Sequence, residues 1–215
     1  ALCYRSADRV NDALSLLKTL EDRGQTQPPA MLLRADIFCS LDRHEHALPL
    51  YKTLANIEHA PLQYSAALGL FNCGDISTCL GVIKLLSDNP DPTLAAQAKL
   101  LEGRALAANE AFDLAADSLN QVTSPPAPPT LRQAAEYRLA RLALHQGQFA
   151  EAEVALRQLT VQEGAPDGAN ETLLQTLIHS GQTEAAVELI GSSASPMDSH
   201  WTVSYTHLRA HETRF

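Results

Sequence analysis

The sequence predicts an all-α protein, a solenoid of antiparallel helix pairs stacked side by side. Three observations predict it. Small residues recur at Ala13, Ala47, Cys79, Ala115, Ala152 and Ala186, with gaps of 34, 32, 36, 37 and 34. Four residues after each comes a larger apolar side chain: Leu17, Tyr51, Ile83, Leu119, Leu156 and Ile190. Seven after come Leu20, Leu54, Leu86, Val122 and Leu159. That spacing is one apolar helix face. Finally, turn residues stand five positions ahead of the small residue, at Asp42, Gly74, Gly147 and Gly181. A fixed period of this length marks repeated supersecondary units, each too small to bury its apolar face without neighbours.

Each element has a local reason. The second helices of the pairs are expected near 8–22, 44–57, 76–87, 111–122, 149–163 and 183–190. The clearest is Gly147 to Leu159, where a glycine ends one helix and an amphipathic run opens the next. First helices are expected near 29–41, 60–73, 92–108, 129–146 and 168–180. Helix-breaking prolines separate the units, at Pro28-Pro29, Pro61, Pro90 and Pro92, Pro125 to Pro129, and Pro166. Pro49 lies inside a second helix, where a kink or a late helix start is expected. Ser124 to Pro129 reads as a lengthened turn inside one solenoid, with a domain boundary or hinge as the alternative.

Composition narrows the function classes. The 215 residues are 45% hydrophobic but only 5% aromatic, so Ala and Leu supply most of the core and helices can approach closely. A net charge of −9 without Lys/Arg blocks is a poor match for nucleic acid or an anionic membrane. No stretch approaches the ~18 consecutive apolar residues of a membrane span. Cys3, Cys39, Cys73 and Cys79 include no Cys-x-x-Cys and no zinc-finger spacing. They read as small buried residues in a reducing compartment, which favours the cytoplasm. A Cys73–Cys79 disulfide across a helix turn is the oxidising alternative. The compartment is otherwise open.

The repeat resembles the tetratricopeptide repeat family, whose unit has about 34 residues, small residues where its two helices cross and a proline-containing turn at its end. The best matches are Gly147 to Leu159 and Gly74 to Leu80. On the first helices the family's small residue falls on Ala35, Ala67, Gly103 and Ala140, with Leu174 departing from it. Its aromatic falls on Phe38, then on Leu70, Leu106, Ala143 and Leu177, with Tyr4 in an incomplete first unit. The resemblance covers residues 1–190 as about six units. It implies a right-handed α-solenoid. Residues 191–202 read as a linker or the start of a further repeat. Val203 to Thr213 resembles the in-frame translation of a sequencing adapter, so residues 203–215 are expected to be a non-native tail.

Nothing in the sequence supports catalysis, a cofactor or a metal. There is no phosphate loop, dinucleotide fingerprint or nucleophile elbow. His207 and His211 lack the glutamate a zinc-protease helix carries after its first histidine. His44 and His46 read as solvated. Asp88, Asn89 and Asp91 are interrupted by prolines and read as a turn rather than a calcium loop. Asn170-Glu171-Thr172 spells a glycosylation sequon on an expected helix and reads as chance.

The resemblance implies that function lies on the concave face lined by first helices, as a binding surface for a protein or peptide. Carried onto this chain, that face takes Leu32, Asp36, Cys39; Tyr64, Leu68, Phe71; Leu100, Arg104, Ala107; Tyr137, Arg141, Leu144; and Glu171, Gln175, Ile178. The groove candidates are Tyr64, Leu68, Phe71, Arg104, Tyr137, Arg141 and Leu144. Aromatic rings beside guanidinium groups suit a peptide with apolar anchors and a carboxylate. The alternative is that the apolar residues are core and the arginines pair with the chain's own carboxylates. The expected function is a non-enzymatic interaction scaffold, with spacer or dimerisation repeats of a larger multidomain protein as the alternative. The partner and oligomeric state stay open.

Overall fold

The computed structural model describes residues 2–23 and 27–192. Among them are eleven helices and no strand: α1 Leu2–Asp22, α2 Pro28–Ser40, α3 His44–Ala55, α4 Ala60–Asn72, α5 Ile76–Leu86, α6 Pro92–Ala108, α7 Phe112–Asn120, α8 Pro129–His145, α9 Phe149–Thr160, α10 Ala169–His179 and α11 Thr183–Ser192. The sequence resemblances at 203–215, and His207 and His211 with them, lie outside the described residues.

Starts and stops follow local chemistry. Pro28, Pro61 and Pro92 sit in the first turn of α2, α4 and α6, where a missing amide hydrogen costs nothing. Asp75 and Asp91 cap α5 and α6 by accepting from the amides of Thr78 and Thr93 at 3.1 and 2.9 Å. Asn89 accepts from the Asp91 amide, so residues 88–91 form the turn that was expected there.

Each pair closes through the same turn. Asp42, Gly74, Glu110, Gly147 and Gly181 all take positive φ, between 56° and 81°. The amide of the next residue donates to a carbonyl five back: Arg43 to Phe38, Asp75 to Leu70, Ala111 to Leu106, Gln148 to Ala143 and Gln182 to Leu177, at 2.9–3.0 Å. These are Schellman caps, which satisfy the orphan carbonyls at a helix end. Four of the five positive-φ positions are the turn residues the sequence marks. The fifth, Glu110, carries no such mark.

Two expectations are corrected. No break separates Tyr4 from the helix that follows, and α1 runs unbroken from Leu2 to Asp22. No glycine or proline interrupts Tyr4 to Arg9. Nor does Pro49 delay its helix, since α3 starts at His44 and continues through it. The buried Ala47, Tyr51 and Leu54 on the same helix are the reason, because apolar burial on both sides of the proline outweighs one lost backbone bond.

The chain divides into two compact units at Ala135/Glu136, a point inside α8 rather than in the run from Ser124 to Pro129. In the first unit α2 pairs with α3, α4 with α5 and α6 with α7, and consecutive pairs pack through α3–α4 and α5–α6. The first helices also meet each other, α2 against α4 and α4 against α6. The small residues stand at these crossings, with Ala35, Ala47, Ala67, Cys79 and Ala115 fully buried. At Gly103 an added Cβ would come within 2.6 Å of Leu119. At Gly69 it would collide with the Tyr51 ring, so the one aromatic at its register position is matched by a facing glycine. In the second unit Ala140, Leu156, Leu173, Leu174, Leu177, Ala186 and Ile190 form one core, with α9 on α10 and α10 on α11.

Candidate functional site

The face of the first helices in the first unit brings together part of what the sequence nominates. Phe71 lies in the last turn of α4, and Arg104 projects from the neighbouring α6. The Arg104 guanidinium lies 4.6 Å above the Phe71 ring. Such stacking keeps the cation's hydrogen-bonding edge available while its face is covered. Tyr64 and Leu68 are half-buried on the same face of α4 and pack against the core of this unit. Leu100 is a correction: only 7% of it is exposed, and it belongs to the core. The long α6 is packed by α4, α5 and α7, and Leu100 points into that packing while Arg104, one turn on, stays half-buried.

Asp36 is also absorbed by the fold. The Tyr51 hydroxyl donates to its carboxylate at 2.7 Å. Burial first, then that bond, pushes the Tyr51 hydroxyl strongly up from its ordinary value. Tyr51 is therefore neutral and serves as a hydrogen-bond donor.

In the second unit Tyr137 and Arg141 lie one turn apart on α8, with the guanidinium 5.9 Å from the ring centroid. The Tyr137 hydroxyl shares a 2.9 Å bond with Thr172 of α10, whose hydroxyl also bonds the Gly168 carbonyl. Tyr137 is thus held in place by structure, while Arg141 is exposed. Thr172, the last residue of the sequon spelling, is buried in α10. Leu144 is half-buried, and Glu171, Gln175 and Ile178 are exposed. Among the described residues no carboxylate pairs with Arg104 or Arg141. Ion pairs among the described residues involve other groups, such as Lys52–Asp75 and Arg157–Glu153, both at 2.9 Å.

Cys79 is buried as expected, while Cys39 and Cys73 are only half-buried. Cys73 approaches Cys39, not Cys79, with sulfurs 3.4 Å apart. Cys79 is fully buried at a helix crossing, where its size and not its chemistry matters. Burial, then the bond to Cys39, pushes the Cys73 thiol up to about 12. His46 is exposed, as expected, whereas His44 is only partly solvated. The His46 ring lies tilted against Phe38 with centroids 5.2 Å apart, and His44 Nδ1 is buried without a hydrogen-bond partner. The sequence hides this grouping because Cys39 and Cys73 are 34 residues apart. The one available signal was that 34 is also the repeat length.

Helix pairs closed by one recurring cap define a helical-repeat protein. A family model described as a tetratricopeptide repeat-like domain matches residues 50–186, and the chain belongs to that family. A search of curated proteins finds no match. Among solved structures the chain is similar to PilW, described as a widely conserved type IV pilus biogenesis factor. The identity is 19%, the TM-score 0.66, and the match covers 87% of this chain and 86% of that one. It is also similar to a putative kinesin light chain with nearly identical TPR-like repeats from Podosopora anserina. There the identity is 18%, the TM-score 0.51, and the coverage 96% and 97%. At these identities the likeness is one of fold. Domains of this fold generally serve as protein-interaction scaffolds and are typically non-enzymatic. No described helix is long and apolar enough to cross a membrane.

Proposed function

We propose that the first-helix face binds a peptide or protein segment carrying apolar anchors and a carboxylate, and that the chain acts as a non-enzymatic scaffold. The observation that supports this most is Arg104 stacked on Phe71 with no carboxylate of the described chain paired to it. An arginine beside a ring with no carboxylate partner among the described residues, with Tyr64 and Leu68 on the adjoining helix, presents the two halves of such a recognition surface. In the second unit Tyr137, Arg141 and Leu144 offer the same combination on one helix.

The test is fluorescence anisotropy with labelled peptides that pair one aromatic or aliphatic anchor with a free C-terminal carboxylate, against the same peptides amidated. The carboxylate peptides are expected to bind, and amidation or Arg104→Glu to weaken them at least about tenfold, the loss of one charge-assisted hydrogen bond. Helical circular dichroism should stay unchanged. Equal binding by Arg104→Glu would overturn the assignment of this face. Absence of binding across the panel would favour spacer repeats of a larger protein.

A further inference from the structure

We infer that Cys39, His44 and Cys73 form a binding site for a thiophilic closed-shell cation, Zn²⁺ or Cu⁺, at the junction of α2, α3 and α4. The ligand atoms of the three side chains lie within 4.8 Å of one another. Tetrahedral zinc with bonds of about 2.3 Å to sulfur and 2.0 Å to nitrogen sets its ligands roughly 3.5–3.8 Å apart. The two sulfurs already stand 3.4 Å apart, so small side-chain rotations suffice.

The histidine supplies an independent observation. Its Nδ1 is buried and has no hydrogen-bond partner. An unsatisfied buried polar atom is costly, and a cation relieves that cost. Its other nitrogen, Nε2, faces the Asp42 carboxylate at 3.8 Å. That carboxylate lies on the Nε2 side of the ring, which leaves the buried Nδ1 for the cation. Nδ1 is then the ligating atom.

The repeat itself does not call for these residues. At the positions matching Cys39 and His44, the next pair carries Phe71 and Ile76. Three soft or borderline ligands therefore converge at a junction whose counterpart in the next pair is packed by apolar residues. The backbone holds them firmly. Cys39 is in the last turn of α2, His44 opens α3, and the Schellman cap at Asp42 fixes the distance between them, with the Asp42 amide bonded to the Cys39 carbonyl at 3.0 Å. Cys73 is the C-cap residue just past α4, which packs directly on α2. Three protein ligands leave a fourth position for water or for a group brought by a partner. A bound cation would staple two successive helix pairs at the edge of the proposed binding face. The inference does not depend on that face binding peptide.

The experiment uses the full chain, reduced and freed of metal. Co²⁺ as a spectroscopic stand-in should give thiolate-to-cobalt charge-transfer absorption, displaced by one equivalent of Zn²⁺. Cys39→Ser and Cys73→Ser should each abolish the band, and His44→Gln should weaken Zn²⁺ binding at least about tenfold. Cys79→Ala should leave the band intact, as should deletion of residues 203–215 with their two histidines. Saturating Zn²⁺ should raise the melting temperature of the unmodified chain and not that of Cys73→Ser. Competition between Zn²⁺ and Cu⁺ under anaerobic conditions names the cation, and either one held by these residues supports the site. A band that survives in both serine variants overturns it. So does a reduced chain that takes up no metal while its oxidised form carries a Cys39–Cys73 disulfide, which would make the pair a redox couple instead.

Discussion

Two turns of the first unit share one backbone geometry and almost no chemistry. Between α4 and α5, Gly74 supplies the positive φ of 81° at no steric cost, and Asp75 caps the next helix. Asp75 also pairs with Lys52 of α3 at 2.9 Å and accepts from the Ser77 hydroxyl. Between α6 and α7, Glu110 takes a φ of 59° that a side chain disfavours, and Ala111 offers no capping oxygen. Yet the Schellman bond lengths match within 0.1 Å, 2.9 Å at Asp75 and 3.0 Å at Ala111. The turn is therefore imposed by the helices it joins, and local residues set how much it costs. Behind the second turn, Gly103 and Leu119 bring α6 and α7 into contact too close for any Cβ at position 103.

That contrast can be broken or sharpened in four ways, measured by urea denaturation. The largest expected effect is Gly103→Ala, whose Cβ meets Leu119 inside the core. Overpacking of this kind should cost roughly 1–3 kcal/mol, and Leu119→Ala in the same chain should show strong coupling to it. Asp75→Ala comes next, with a loss of about 1–2 kcal/mol for the cap and a partly solvated ion pair. Its contribution depends on pH. The Lys52 ammonium, ahead of the bonds from Thr78 and Ser77 and against the opposing effect of burial, holds the Asp75 carboxyl down to about 2. A depressed folded value means that the stability is present above the unfolded carboxylate range near 4 and is lost as pH falls from there through about 2. Asp75→Ala should flatten that part of the acid-unfolding profile, and an unchanged profile would remove Asp75 from the account. Ala111→Asp should stabilise by about 1 kcal/mol by giving α7 the cap that α5 has. Glu110→Gly should stabilise least, by roughly 0.5 kcal/mol, since relief of the left-handed strain is offset by glycine's entropy.

The fold was largely legible because its constraint is periodic. Ala47, Cys79, Ala115, Ala152 and Ala186 are all fully buried, as a residue that lets two helices touch must be. Departures arose where a distant partner overrides the local signal. Pro49 should disturb a helix, but Tyr51 and Leu54 hold α3 together. Tyr51 looks like an awkward aromatic until Gly69 is seen across from it, and Asp36 looks like a free carboxylate until Tyr51 reaches it. Of the candidate site, the neighbourhood of Phe71 and Arg104 followed from the repeat register, and so did the placement of Tyr137 beside Arg141. The burial of Leu100 did not, because helical spacing marks a face without saying how many neighbours cover it.

The sequence by itself determined the helix pairs, their crossing points and four of their five tight turns. Spacing, small size and glycine each act within a few residues, and the repeats stack on nearest neighbours. Only the tertiary structure decided that Glu110 adopts a glycine's conformation, that Arg104 lies on Phe71, and that Cys73 meets Cys39 and His44. Those outcomes depend on which side chains face each other across a helix junction. The chain states the period that brings such junctions together, and the packing chooses the atoms that meet there.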